Sequence, residues 1–312
     1  MAVIGFGKSA LDIATDATQY ANQVNLVFRQ AHWPVPNYLF GLFDGRKVLV
    51  NRFASAFLPL YQRPGKWERI LHHHFPWLVR TFWKLIELIV QRQYHLKECH
   101  ALPPNRFEKD LFTHVFLPRD DTYPLIRQGK IQLQAASIER YTSDGIALTN
   151  GVHLKTDVVI FATGWKPDCT FLPHEFSSSQ GQDGMYLYRH IFHPDLKNLA
   201  FIGWASTFSN SLTSHIAIVY LTNLLKGKIT LPEPEVMWRE VEDMRKWKQS
   251  FMPAVSNRSA ILQLHMWHYH DELLRDCGIN PYRKKNFISE LFQYYCPEDY
   301  RNVVNHMVPG VK

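Results

Sequence analysis

An α/β fold is predicted by three features of the chain. Val3 and Ile4 run directly into Gly5-Phe6-Gly7-Lys8-Ser9-Ala10 and then into a helical pattern carrying Leu11, Ile13 and Ala14. A second apolar run, Val24 to Phe28, follows that helix at the spacing of a β-α-β unit. Farther on, Ser143-Asp144-Gly145 and Asn150-Gly151 divide short alternating runs, the mark of hairpins, ahead of an apolar stretch from Asp157 to Ala162. A strand, a glycine turn, a helix and a second strand make the pattern of a Rossmann-like domain with a parallel sheet.

Each residue of the turn has a physical task. Gly5 permits the tight bend, Gly7 lets backbone approach a pyrophosphate, and Ala10 lets the helix pack closely on the strand. Phosphates held there meet free N–H groups and the positive end of the helix dipole. Lys8 and Ser9 lie inside the turn, and Ser9, at the helix N-terminus, is the better phosphate contact. The plain alternative is a solvated lysine and a capping serine. Asp12 suits the first turns of the helix and reads as structural. The second strand ends on Arg29, where an acid would bind a ribose 2′-OH; an arginine there favours the 2′-phosphate of NADP. His32 and Trp33 follow, and read equally as a stack for adenine or as loop aromatics packed on the core.

Residues 37 to about 115 are rich in aromatics, histidine and proline, with a helical core from Trp67 to Tyr94, and form an insertion. Within it, Trp77 to Val90 puts Arg80, Lys84 and Glu87 on one stripe and Trp77, Leu78, Phe82, Leu85 and Ile89 largely opposite. A core helix is expected, with peripheral contact to a membrane surface as the alternative. Next come a short helix within Pro118–Gly129, a strand Ile131–Gln134, and a meander of Ser137–Tyr141, Ile146–Thr149 and Val152–Lys155. Asp157–Ala162 is apolar on both faces, which predicts a buried parallel strand. Residues 166–312 hold an apolar strand, Leu199–Trp204, a helix from about Thr213 to Leu225, and a helical, aromatic-rich tail beyond Pro232.

The net charge of +7 is scattered, with no run of five like charges, so a phosphate-bearing cofactor and ordinary solvation account for it and nucleic acid is not expected. Cys99, Cys169, Cys277 and Cys296 show no C-x-x-C pairing and read as reduced thiols of an intracellular, cytoplasmic protein. No stretch of eighteen apolar residues is present, so no transmembrane segment is expected. His72, His73 and His74 are consecutive and point in different directions on a helix. His265, His268 and His270 lack the acid of an H-E-x-x-H pattern. Packing is the expected role of the second group, and no metal site is expected at either.

The stretch Asp157–Ala162 leads into Thr163-Gly164-Trp165, an A-T-G-[YW] ending that closes the nucleotide domain of two-domain flavoprotein oxidoreductases. With the turn at Gly5–Ala10 and the strand ending at Arg29, this resembles the flavin-containing monooxygenases and their Baeyer–Villiger and plant auxin-forming relatives. Asp120-Asp121 before Leu125–Ile131, and Leu199-Ala200-Phe201-Ile202-Gly203 before a helix ending in Leu225-Lys226-Gly227, agree as well. The resemblance covers about residues 1–245.

The resemblance implies two domains. Residues 1–165 would be a Rossmann-like NADP-binding domain with a helical insertion at about 37–115. Residues 166–312 would be the C-terminal part of an FAD-binding domain of the two-dinucleotide-binding-domain flavoprotein type, with a helical tail. In the family, an FAD-binding G-x-G-x-x-G, an F-x-G-x-x-x-H fingerprint and an active-site asparagine stand upstream of the NADP motif. None occurs in these 312 residues, so the chain is expected to be a truncated form or half of a split enzyme, its partner the missing FAD-binding half. The implied activity is NADPH- and FAD-dependent oxygenation of a small-molecule soft nucleophile such as an amine or sulfide. A catalytically inactive NADP-binding fragment or subunit is the alternative; a flavin-free reductase is weaker, since no Tyr-x-x-x-Lys dyad is present. Gly5, Gly7, Lys8, Ser9, Ala10 and Arg29, with Thr163 and Gly164, are the candidate NADP residues; Gly203 and Thr213 are candidates to touch the flavin.

Overall fold

The computed structural model describes residues 1–112, 114, 116–165, 171–173, 183–253, 255 and 257–305. It divides into two compact units, Met1–Gly45 with Thr81–Trp165 and Arg46–Arg80 with Lys166–Lys312. The division falls inside the expected insertion, so that residues 46–80 group with the second unit.

In the first unit, β1 (Ala2–Ile4) and β2 (Val24–Phe28) flank the helix α1 (Lys8–Ala17). A short hairpin, β3 (Tyr38–Leu39) and β4 (Phe43–Asp44), opens the inserted segment. Then follow β5 (Ile131–Ala135), β6 (Ile138–Thr142), β7 (Gly145–Leu148), β8 (His153–Lys155) and β9 (Val159–Phe161). The main sheet is parallel throughout, in the order β5-β2-β1-β9. The chain winds outward from β1 to β2 to β5 and returns on the other side of β1 with β9. All four carboxyl ends therefore share one edge, and the winding reverses between β1 and β9, where such sheets take ligands. Strands β6, β7 and β8 form the expected antiparallel meander. Its Ile146, Leu148 and Leu154 pack with Ala2, Val27 and Ala136 of the parallel layer.

Two expectations about this unit fail. Strand β9 is parallel but not buried: Phe161 is 59% exposed and Val158 is also open to solvent. It is the outer strand of the sheet, and among the described residues no strand pairs with its far edge. The helical core expected from Trp67 to Tyr94 forms as two helices, Lys66–His74 and Pro76–Gln93, parted where Pro76 has no N–H to continue the ladder, but the face expected inward is not the buried one. The second of these helices buries Trp83, Ile86 and Val90, while Trp77 is 60% exposed and Leu78 and Leu85 face solvent. Phe107 sets that choice. Its ring stacks on Trp83 with centroids 5.8 Å apart, and its N–H donates to Glu87 Oε1 at 2.9 Å. Tertiary packing thus overrides the amphipathic stripe read from sequence.

In the second unit, helices Asn210–Leu225, Pro234–Phe251 and Met266–Asp276 enclose a core that includes Ile216, Tyr220, Val241, Trp267 and Leu273, joined by Val50 and Tyr61. Arg52 holds residues 46–80 there through a two-pronged pair to Asp271, both bonds 2.8 Å, and a third bond to Glu290 at 2.7 Å. Strands β10 (Ser206–Thr207) and β11 (Ile261–Gln263) pair in parallel. The expected strand Leu199–Trp204 does not form. A strand exists only beside another, and among the described residues none runs next to it. Phe201 instead donates its N–H to Ile191 O at 2.8 Å, and its ring packs with Trp204, Leu172, Met185 and Leu187. No described helix is long and apolar enough to cross a membrane.

Candidate functional site

The carboxyl edge of the parallel sheet collects most of the predicted residues. Gly5 leaves β1 with φ +132°, a conformation that disfavours any side chain. A Cβ there would lie 2.4 Å from the Ala162 carbonyl oxygen and 3.3 Å from the Ala10 methyl. The turn can therefore close against β9 only with glycine, and Ala10, fully buried, is as large a residue as the contact admits. Gly5 N–H donates to Val27 O and Ala162 N–H to Ile4 O, each at 2.9 Å, which pins the bend between the neighbouring strands.

Gly7 does something different. It is the N-cap of α1 in extended conformation, no side chain caps the helix, and a Cβ would meet nothing within 4 Å. The first helical bond runs from Leu11 N–H to Gly7 O at 3.1 Å, so the amides of Lys8, Ser9 and Ala10 come before it. Open space in front of first-turn amides at the positive end of a helix is what an anionic phosphate needs. Lys8 is not a spare cation: its Nζ is tied to Asp12, 2.5 Å from Oδ2, one helical turn on. Ser9 is exposed at the helix start.

Arg29 follows β2 at the same edge. Its side chain is exposed and makes no ion pair or hydrogen bond among the described residues. Thr163 and Gly164, exposed beyond β9, complete that edge. The sheet thus brings together Gly5, Gly7, Ser9, Ala10, Arg29, Thr163 and Gly164. The arrangement can seat a phosphate-bearing dinucleotide across α1 and meet a further phosphate at Arg29. Of the adenine stack, Trp33 is excluded, being buried against Phe107 with its Nε1–H donating to Asn105 O at 2.7 Å.

Gly203 and Thr213 belong to the second unit. Gly203 is exposed with φ +82°, and a Cβ there would touch Ser214 Oγ at 3.4 Å, near the start of the helix Asn210–Leu225. Thr213 is buried, and its hydroxyl is engaged by Thr207 Oγ1 at 2.7 Å and His270 Nε2 at 2.8 Å. His270 Nδ1 in turn meets the Tyr295 hydroxyl at 2.5 Å. Burial, and then the Arg52 charge, push His270 down to about 3, so it stays neutral inside this chain of hydrogen bonds.

His265 and His270 are buried and His268 half-buried, as packing predicts, whereas His73 and His74 are exposed. His72 Nε2 meets Ala56 O at 2.9 Å and His268 Nε2 meets Glu68 Oε1 at 2.8 Å. Cys99, Cys277 and Cys296 are free thiols, and Cys169 lies outside the described residues. One grouping escaped the sequence reading: His32 and His114 stack on each other beside Asp110. Only the four-residue spacing of Asp110 and His114 hinted at it.

A family model described as flavin-binding monooxygenase-like matches residues 1–291. The chain belongs to that family. A probable flavin-containing monooxygenase 1 of Arabidopsis thaliana is 30% identical over 326 residues, covering 96% of this chain and 58% of that protein. Flavin-containing monooxygenase 2 of Homo sapiens is 25% identical, over 93% of this chain and 50% of that protein. This flavin-monooxygenase relative therefore spans little more than half the length of the curated proteins it matches. Among solved structures, a polycyclic ketone monooxygenase from Thermothelomyces thermophila has a TM-score of 0.56 at 11% identity, over 89% of this chain and 57% of that one. Cyclohexanone monooxygenase from Rhodococcus sp. Phi1, bound to NADP+, has a TM-score of 0.54 at 12% identity over 89% of this chain and 65% of that one. At those identities the two structures establish a shared fold, and the α/β architecture is that of two-dinucleotide flavoproteins over part of their length.

Proposed function

We propose that this chain supplies the NADP-binding domain, and the C-terminal part of the FAD-binding domain, of an NADPH-dependent flavin monooxygenase acting on a soft nucleophile such as an amine or sulfide. The observation that carries the reading is Arg29: a cation without an ion pair or hydrogen bond among the described residues, at the carboxyl end of β2, on the same sheet edge as the open cradle at Gly7. An exposed guanidinium that no described side chain engages is free to meet a 2′-phosphate at that edge with a charge-assisted contact.

Within this reading the turn amides of Ser9 and Ala10 hold the pyrophosphate, and α1 contributes its positive end. Gly7 leaves room for the phosphates, and Arg29 selects NADPH over NADH. Thr163 and Gly164 line the edge beside the turn. The fit to FAD is different. The only G-x-G-x-x-[GA] turn in the 312 residues is the one at Gly5–Ala10, so the flavin's own pyrophosphate has no cradle among the described residues. Gly203 and the start of the helix Asn210–Leu225 are what this chain would place against the flavin. When bound, the flavin supplies oxygen activation, and the protein's share is orientation and exclusion of water. The family membership and the thirty per cent identity to a probable flavin-containing monooxygenase support this assignment of activity to the whole protein.

The test is nucleotide selectivity. A charge-assisted contact to phosphate contributes about 1.5–3 kcal/mol. Arg29→Ala should therefore weaken NADPH by about tenfold or more and leave NADH unchanged. Equal affinity of the unmutated chain for the two nucleotides would overturn the reading.

A further inference from the structure

We infer that His32, Asp110 and His114 form a binding site for one divalent transition ion of the zinc type, closing the loop after β2 onto the segment that follows the helix Phe107–Asp110. The three ligand atoms all lie within 4.8 Å of one another. Asp110 Oδ1 is 2.9 Å from His32 Nδ1 and 3.9 Å from His114 Nδ1. A tetrahedral zinc bound to nitrogen and oxygen at about 2.0–2.1 Å holds its ligands about 3.3 Å apart. The two separations straddle that value, and closing on an ion also requires the His114 ring to turn out of its stack on His32, because an ion lies in the plane of each imidazole that binds it.

The chemistry of the set points the same way. Two imidazoles and one carboxylate suit a borderline ion and leave a fourth position for water. Asp110 is a built ligand and not a surface acid: its side chain is 1% exposed, and its other oxygen, Oδ2, accepts the Trp33 N–H at 2.7 Å. A second bond of that kind fixes the orientation of a ligating carboxylate. His114 follows Asp110 by one helical turn, its N–H donating to Asp110 O at 2.9 Å, which puts both side chains on one face. The imidazole rings of His32 and His114 stack 3.5 Å apart at 14°, which brings both beside Asp110. The Arg29 charge opposes a cation here and the Asp110 carboxylate offsets it. His114 is 40% exposed, which gives an ion its path in and gives the ring room to turn its lone pair toward the ion.

The experiment is titration of the purified full chain, stripped with chelator, with Zn(II) against a chromophoric indicator, and with Co(II) followed by its visible ligand-field band. One ion per chain should bind, and thermal unfolding should move upward with Zn(II). His114→Gln, at the most exposed ligand, should weaken binding by about tenfold or more and remove the upward shift. A variant carrying His73→Gln and His74→Gln should bind like the unmutated chain. Should His32→Ala or Asp110→Asn fail to fold, His114→Gln alone decides. No Co(II) band, or a band that survives His114→Gln, overturns the site. Neither result touches the NADPH assignment, which rests on Arg29 and is read by nucleotide binding.

Discussion

The two glycines of the turn should fail in opposite ways when each is replaced by alanine. At Gly5 the added Cβ would stand 2.4 Å from the Ala162 carbonyl oxygen, about 1 Å inside ordinary contact. The residue must also keep φ at +132°, which costs a non-glycine residue on the order of 1–3 kcal/mol. Relief comes only by moving β9 away from the turn, at the expense of the Ala162 to Ile4 hydrogen bond, about 1 kcal/mol more. Gly5→Ala should therefore destabilise the first unit by about 3 kcal/mol or more, a large part of what a domain of this kind possesses. Gly7 has φ −86° and open space, so alanine fits there without a clash; the gain of a few tenths to about 1 kcal/mol from restricting the unfolded chain is offset by alanine's poorer fit at an N-cap, leaving stability nearly unchanged. Its methyl would nevertheless occupy the place where a pyrophosphate approaches. The assay is urea unfolding followed by circular dichroism, set beside NADPH binding followed by fluorescence. Gly5→Ala should lose stability, and binding with it. Gly7→Ala should unfold at nearly the same urea concentration as the unmutated chain and bind NADPH at least about tenfold more weakly. The reasoning is refuted if Gly5→Ala unfolds normally, or if Gly7→Ala binds NADPH as before.

Three further outcomes are expected. Asp271→Asn leaves the buried Arg52 with Glu290 as its main partner and should lower the stability of the second unit by about 3–5 kcal/mol in denaturant unfolding; an effect below about 1 kcal/mol would show that the pair adds little. His270, held near 3 in the fold against about 6.5 unfolded, takes a proton more readily when unfolded, so its contribution is lost as pH falls below about 6.5. From that group alone the protein should be about 2 kcal/mol less stable at pH 5 than at pH 8, and the difference should vanish in His270→Gln; an unchanged pH slope in the variant speaks against it. Last, the 312-residue chain mixed with excess FAD and passed through a sizing column should elute without a stoichiometric flavin band, since its only glycine turn is the one beside Arg29. A full flavin spectrum with NADPH oxidation would overturn that.

The parts of this molecule that are set by neighbours in sequence were readable from the sequence. The turn at Gly5, the helix after it, the second strand and the meander with its Asp144-Gly145 and Asn150-Gly151 corners all depend on local backbone demands. The parts set by distant neighbours were not. Leu199–Trp204 is apolar enough to be a strand, but strand formation needs a pairing edge, and the chain turned Phe201 and Trp204 into packing residues instead. The helix Pro76–Gln93 has a polar stripe at Arg80, Lys84 and Glu87, but the face that turns inward, Trp83, Ile86 and Val90, is not the one opposite it; Phe107, well downstream, decides it. Of the site, the turn and Arg29 were legible because they lie on one β-α-β unit. Asp110 and His32 were not, because they stand 78 residues apart and meet only through folding.

The open side of β9 has a practical consequence for anyone handling the isolated chain. The strand ends in Phe161, and Trp165, 98% exposed, follows it closely, so backbone donors and acceptors lie next to bare aromatic surface. Such an edge is a template for a second molecule, and it carries no lysine or proline of its own to discourage one. Concentrated solutions of the chain will tend toward edge-to-edge association, at a strand that ends beside the nucleotide cradle. Apparent affinities for nucleotide will then drift with protein concentration, and dilution series become part of any measurement of binding.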